Sequence, residues 1–147
     1  MKSPSSPHGT QAWLSTVRAY NLCETVISRR LADIQLRVGD LEVLATLATT
    51  PKLSQRELAA RCFITKSGVS MLLTQMEERG LVIRAADAGD ARAKRLTLTS
   101  DGTRLAAQAM KIQAEVVNAM VAGLSEQELA DINRVMNRVS AQLEELL

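Results

Sequence analysis

Residues 53–102 read LSQRELAARCFITKSGVSMLLTQMEERGLVIRAADAGDARAKRLTLTSDG, and their pattern sets the architecture that we expect. Ser54 and Glu57 form a capping-box pair that predicts a short helix ending near Arg61. Thr65 can cap a second helix, and Gly80 can end it. A polar hairpin with arginine and lysine follows. Helix, turn, helix and hairpin in this order predict a winged helix-turn-helix, which is typical of DNA binding.

The second helix of this stretch has an apolar and a polar face. Its inward positions are Val69, Leu72, Leu73 and Met76, and its outward positions are Lys66, Ser67, Ser70, Met71, Thr74 and Gln75. Short hydrogen-bonding side chains near a helix start can approach base edges and phosphates in a major groove. An ordinary amphipathic helix with a solvated polar face fits the same spacing, so this helix alone does not establish DNA binding.

The hairpin that follows gives the second signal. Leu81–Arg84 and Arg95–Leu98 read as two short strands joined by AADAGDARAK. Such a polar tip cannot join a core, so it serves either solubility or contact with a charged partner. An arginine on a slim hairpin, here Arg92, suits a narrow minor groove. Asp90, two residues earlier, could pair with this guanidinium and hold it extended.

Composition and charge fit this interpretation. The 147 residues contain only three aromatics, Trp13, Tyr20 and Phe63, which favours one helix-rich domain with an aliphatic core. Residues 52–104 hold ten Lys/Arg against six Asp/Glu, whereas the remainder holds eight against ten. Positive charge is therefore concentrated on the helix-turn-helix pattern, as expected of a segment that meets phosphate, although a solvated surface would show the same distribution.

Several function classes are disfavoured. No run approaches the roughly 18 apolar residues of a membrane span, and MKSPSSPHGT has no secretory apolar stretch, so we expect a cytoplasmic protein. Cys23 and Cys62 lack metal-ligand or redox spacing, which favours two small buried hydrophobes. The single histidine, His8, lies near the N-terminus, and no phosphate loop or nucleophile elbow occurs. We expect no enzyme activity, no cofactor and no metal.

The flanking segments predict long helices. One helix runs from about Thr10 to Ile34, a second from Val38 to Ala48, and a long one from Ser100 or Thr99 to near Gly123. Another capping box, Ser125 to Glu128, opens a last helix with a regular apolar seam. We interpret the first and last helices as a dimer interface formed by Trp13, Val17, Leu129, Ile132, Met136, Val139, Leu143 and Leu146. Alternatively, both helices pack on the core of their own chain.

These elements divide the chain into three parts. Residues 1–9 are expected to form a flexible arm. Residues 10–35 and 100–147 form a helical dimerisation region, and residues 36–99 form a winged helix-turn-helix lobe. The fold class is therefore mainly α (α+β).

From about residue 12 onward the chain resembles the MarR family of bacterial transcriptional regulators. Leu36–Leu44 and Leu53–Leu58 are similar to the starts of that family's second and third helices. EERGLVIR, followed by D-x-x-D-x-R-x-K-R-x-x-L-T-x-x-G, matches its wing and exit. Two positions depart from the family pattern. Ala91 replaces the first arginine of the usual Asp-Arg-Arg, and Met71 stands where an arginine is frequent.

The resemblance implies a homodimer with recognition helices in successive major grooves, wings on the flanking minor grooves and a pseudo-palindromic operator. It also implies a repressor released by a small-molecule effector that binds between the dimer helices and the DNA lobes. Phosphate contacts are expected from Lys66, Arg84, Lys94, Arg95 and backbone amides near Ser54 and Gln55. Base reading is expected from Ser67, Ser70, Thr74 and Gln75, with Gly68 allowing close approach and Asp90 and Arg92 acting in the wing.

Two alternatives remain from the sequence. A winged helix can bind another protein instead of specific DNA. One branch of the resembled family senses organic hydroperoxides through a cysteine on the first helix, which makes Cys23 a candidate redox sensor. The register disagrees, since that cysteine lies roughly two further helical turns upstream, and its accompanying tyrosines are absent apart from Tyr20.

Overall fold

The structure, a computed structural model, describes residues 6–90 and 94–147. These residues form α1 (Pro7–Ala32), α2 (Val38–Thr49), α3 (Gln55–Arg61), α4 (Lys66–Glu78), β1 (Val82–Ala86), β2 (Lys94–Leu98), α5 (Ser100–Val121) and α6 (Glu126–Glu144). The two strands pair antiparallel, with Val82 opposite Leu98 and Ala86 opposite Lys94. The predicted class, mainly α with a winged helix-turn-helix, is confirmed.

The core lies where α2 and α5 pack against the helix-turn-helix. Leu44, Leu58 and Leu73, contributed by α2, α3 and α4, are fully buried there. Leu31 of α1 and Leu96 of β2 are buried in the same cluster. The Leu96 amide also donates to the carbonyl oxygen of Leu53 at 2.8 Å, so the wing is joined to the segment that precedes α3.

The exit from the wing is tightly packed. The hydroxyl of Thr99 donates to the Gly80 carbonyl at 2.7 Å and accepts the Gly102 amide at 3.0 Å, which caps α5. A Cβ on Gly102 would lie 2.0 Å from the carbonyl oxygen of Leu81. Only glycine allows α5 to start this close to the chain that enters β1, so wing and α5 have one fixed arrangement.

The predicted helix caps are present. Ser54 with Glu57 and Ser125 with Glu128 form complete capping boxes, and Thr65 accepts the amide of Gly68. Gly80 follows α4 with a positive φ of 70°, a conformation that glycine adopts without strain.

Two expected boundaries are wrong. Helix α1 begins at Pro7 instead of Thr10, so residues 7–9, including His8, belong to a helix and not to a loose arm. A proline suits the first turn because its missing amide would have no helical partner there. The same helix ends at Ala32, two residues before Ile34, and a turn with Gln35 at φ 58° leads into α2. The strands also differ slightly, since β1 starts after Leu81 and extends to Ala86.

Candidate nucleic-acid interface

The outward face of α4 has the predicted phase. Lys66, Ser67, Met71 and Thr74 are exposed, and Ser70 is half-buried. The Thr74 hydroxyl donates to the carbonyl oxygen of Ser70 at 3.0 Å, and the Ser67 and Thr65 hydroxyl oxygens are 3.2 Å apart. This face therefore presents hydroxyls, one ammonium and the 60% exposed thioether of Met71.

The start of α3 lies beside the start of α4. Gln55, Arg56 and Ala59 line a shallow depression together with Lys66. Arg56 and Lys66 are exposed and form no ion pair with a described residue. Sequence reasoning missed Arg56, although its place in the turn after the Ser54 cap was a usable signal. Two unpaired cations at adjoining helix starts make a surface that can bind phosphate.

Gln75 is less available than expected. Its side-chain oxygen accepts a hydrogen bond from Nη2 of Arg37 at 2.7 Å, across 38 positions of sequence. Reading an adenine edge requires the oxygen and the amide nitrogen of a glutamine together. Gln75 can make that contact only after releasing Arg37, and its base-reading role stays a prediction.

Gly68 has a reason within the chain to be glycine. A Cβ at this position would lie 2.7 Å from Cγ2 of Ile64 and 3.1 Å from the Thr65 hydroxyl. The close approach is thus between α4 and the turn before it. The expectation that Gly68 also allows close approach to a groove stays a prediction.

Two arginines expected on phosphate are engaged inside the lobe. Arg84 is three-quarters covered and pairs with Glu77 at the end of α4. Arg95 donates to Asp87 from Nε at 3.3 Å and from Nη2 at 3.1 Å, and to Glu57 from Nη1 at 3.2 Å. Since acids neutralise both cations, the structure does not favour the expected phosphate roles of Arg84 and Arg95.

The contacts of Arg95 form a bracket, defined here as Glu57, Asp87 and Arg95. The same Glu57 oxygen accepts the Ser54 amide at 2.9 Å, so the bracket connects the wing to the cap of α3. The hydrogen bond from the Ser54 amide, helped by the charge of Arg95, lowers the pKa of Glu57. The Gly89 amide and Arg95 lower the pKa of Asp87, and Asp87 raises the pKa of Arg95.

The wing tip is described only in part. Lys94 at the start of β2 is exposed and forms no ion pair with a described residue. Asp90 is exposed, and Arg92 lies outside the described residues. The expected pairing of Asp90 with Arg92 therefore stays a prediction.

A second surface is apolar. Helix α6 contributes no buried residue. The expected dimer residues Trp13, Val17, Ile132, Met136, Val139, Leu143 and Leu146 are exposed, and Leu129 is half-buried. Leu22 and Val135, at 55% and 41% exposure, extend this surface and were not singled out from the sequence. The alternative of packing on the chain's own core holds only for the C-terminal part of α1, where Ile27 and Leu31 are buried.

Both cysteines are free thiols. Cys62 is buried, and burial raises the pKa of its thiol. Cys23 is half-buried in an apolar groove between α1 and α5, beside Val26 and Met120. Among the described residues, no group of three His, Cys, Asp or Glu side chains could hold a metal ion. No described helix is long and apolar enough to cross a bilayer.

Comparison with known proteins agrees with this geometry. A family model described as MarR family matches residues 33–93. The transcriptional regulator HosA of Escherichia coli O157:H7 is 34% identical over 116 residues, which cover 76% of this chain and 86% of HosA. A MarR family transcriptional regulator from Streptomyces coelicolor, solved in complex with DNA, superposes with a TM-score of 0.84 at 25% identity, covering 94% of this chain and 92% of that one. BpsR of Bordetella bronchiseptica, whose DNA binding is regulated by 6-hydroxynicotinic acid, superposes with a TM-score of 0.80 at 21% identity, covering 94% and 98%.

Proposed function

This chain belongs to the MarR family of transcriptional regulators, and we propose that it is a homodimeric repressor that binds a pseudo-palindromic operator and is released by a small-molecule effector. DNA binding follows from the family and from the polar face of α4. The dimer, the operator symmetry and the effector are the proposal. A regulator of this kind works where the bacterial chromosome lies, so a cytoplasmic location is part of the proposal.

One observation carries the proposal: α6 presents a complete apolar seam without burying any residue in its own chain. Its exposed apolar residues lie three or four positions apart on one face and include Ile132, Val135, Met136 and Val139. An apolar face of this length is stable in water when another surface covers it. A second copy with the same seam provides that surface through a two-fold axis.

The dimer then determines how DNA is read. Two lobes at a fixed separation can place both α4 helices in successive major grooves of one duplex. Ser67, Ser70 and Thr74 supply hydroxyls to base edges, and the Met71 side chain can contact a thymine methyl. Arg56, Lys66 and Lys94 are exposed cations on this side of the lobe that can bind phosphate, with Arg92 expected in the minor groove. Occupying the operator would block the polymerase.

Release by an effector follows from the same geometry. A ligand between the dimer helices and the lobes would change the separation of the two α4 helices. When only one half-site can be engaged, most of the affinity is lost, because the second contact is no longer intramolecular. The regulated DNA binding of BpsR supports this part of the proposal by family analogy.

A gel shift on the chain's own upstream region, at 50 and 200 mM salt, combined with light scattering, tests the proposal. We expect nanomolar-range binding of a dimer that survives moderate salt. The Arg92→Ala variant should bind more weakly while its dimer mass is unchanged. Weak binding that disappears at the higher salt would instead identify a protein-binding winged helix. A monomer at working concentration would overturn the proposed homodimer.

A further inference from the structure

A depression of about 520 Å³ lies between α1, the start of α2 and the turn before α4. Its lining residues are Tyr20, Glu24, Val38, Gly39, Glu42, Phe63 and Ile64. Two of the three aromatic residues of the chain and two carboxylates thus meet at one place, and no basic side chain of the described residues lines it. A cavity of this size can hold a small organic molecule.

The two aromatic side chains of the depression are not buried by packing within the chain. Phe63 is fully exposed, and Tyr20 is 64% exposed. An unburied phenyl ring forfeits the hydrophobic free energy that burial would provide. Both rings are therefore free to cover a ligand without giving up an existing contact.

The two carboxylates give the depression a negative charge. Glu24 is exposed and forms no ion pair with a described residue. Glu42 is half-buried, and its Oε1 accepts the backbone amide of Phe63, which ties the aromatic turn to α2. Arg61 lines the adjoining depression on the other side of Glu42 without pairing with a described acid. Two negative charges in one small cavity repel an anionic ligand and attract a cation.

From these lining residues we propose that the depression binds an organic ammonium ion. This proposal rests on the effector-controlled regulation proposed above. Aromatic faces and nearby carboxylates are the combination that recognises quaternary and alkyl ammonium groups. A bare divalent cation would prefer a shell of oxygen atoms and would gain nothing from two phenyl-type rings.

The position of the depression connects binding to DNA reading. Tyr20 and Glu24 belong to α1, whereas Phe63 and Ile64 belong to the turn that leads into α4. The Ile64 side chain already approaches Gly68 so closely that no Cβ fits between them. A shift of the turn as Phe63 closes over a bound cation would pass to the start of α4 through this contact. The bound ion therefore disfavours the arrangement of α4 that fits the operator.

Calorimetric titration of the full chain with three ligands tests the inference. The ligands are benzyltrimethylammonium, benzyl alcohol and phenylacetate, which share a benzyl group and are positive, neutral and negative. We expect the ammonium ion to bind at least about tenfold more tightly than the neutral probe, as cation–π and carboxylate attraction combine, and phenylacetate to bind most weakly. Benzyltrimethylammonium should also shift the gel-shift midpoint to higher protein concentration. Equal affinity for the three probes, or no heat with the ammonium ion at millimolar concentration, overturns the inference.

Variants locate the binding. Glu24→Gln and Phe63→Leu should each weaken benzyltrimethylammonium binding by about fivefold, since each removes one attraction and neither residue belongs to the core. Glu78→Gln, which removes the same charge at the exposed end of α4, should leave the affinity unchanged. Unchanged affinity in both depression variants would contradict the site. Operator binding without any ligand is scored separately, so its loss would count against the regulator and not against the cation site.

Discussion

Lys66 combines two properties that a phosphate contact needs: it is exposed at the first position of α4, and no described acid pairs with it. Replacing it by alanine should weaken binding about equally on all DNA sequences and reduce the slope of log affinity against log salt by about 1. Lys111→Ala, on α5 and 78% exposed, is the matched control and should change neither quantity. A sequence-dependent loss measured by gel shift would instead assign Lys66 to base reading.

Three glycines should respond differently to alanine. At Gly102 the new Cβ meets a backbone oxygen at 2.0 Å, and backbone cannot yield as a side chain does. We expect a loss of about 3 kcal/mol in the free energy of unfolding, a large overpacking penalty. At Gly68 the clash with Ile64 at 2.7 Å is partly offset by the better helix propensity of alanine, for a net loss of about 1 kcal/mol.

The third variant is the control. A Cβ on Gly89 would meet nothing within 4 Å, so Gly89→Ala should stay within about 0.5 kcal/mol of the parent. Urea unfolding gives all three values. If Gly102→Ala were as stable as Gly89→Ala, the tight packing at the start of α5 would be contradicted.

The sequence predicted residues whose roles are local and missed those whose roles are tertiary. The caps at Ser54, Thr65 and Ser125 follow from neighbours three positions away and are confirmed. The partners of Arg84, Arg95 and Gln75 were not foreseeable, because a residue's charge or polarity does not reveal which partner folding brings within hydrogen-bond distance. Arg37 and Gln75 lie 38 positions apart, and no periodicity connects them.

The bracket of Glu57, Asp87 and Arg95 makes the wing and α3 move together. Arg95→Met keeps the apolar stem but removes the charge, so the wing should exchange its β1 and β2 amides faster and bind DNA less tightly. Hydrogen exchange measures the first effect and gel shift the second. Arg104→Met, on an exposed arginine that pairs with Asp101 within its own helix, is the control and should leave β-strand exchange unchanged.

The same bracket predicts a pH dependence. Both carboxyls have a lowered pKa in the folded chain, so their contribution to stability is fully present above their ordinary values. It disappears as the pH falls through the lowered values. The hydrogen-exchange rates of the β1 and β2 amides in the parent and in Arg95→Met should therefore differ by the same factor at every pH from 8 to 5. The two sets of rates should become equal only below about pH 4. Convergence near neutral pH would contradict the bracket.

The order and phase of the helices came from the sequence because hydrophobic spacing and capping residues act over one or two turns. The start of α1 did not, since the composition of residues 1–9 is typical of a loose segment although a proline can begin a helix.

The apolar seam of α6 predicts how the paired molecule responds to mutation. Met136→Lys places a charge in the proposed interface and should produce a monomer by light scattering, with operator binding weakened at least a hundredfold. Because α6 contributes no buried residue to its own chain, the monomer should keep its helical circular dichroism. Asn137→Lys adds the same charge on the polar side of α6 and should remain dimeric. A dimeric Met136→Lys protein would rule out this seam.

Helix α1 has its C-terminal end anchored in the core by Ile27 and Leu31, while the other end projects with its apolar side chains uncovered. Its 26 residues make a rigid rod of about 39 Å. Pivoting such a lever by about 5° at its anchored end would sweep the free tip through about 3 Å, by the same helix geometry. A small rotation of the lobe would thus produce a larger displacement at the free N-terminal end of α1. A glycine inserted midway along the helix would let it bend and would reduce that displacement.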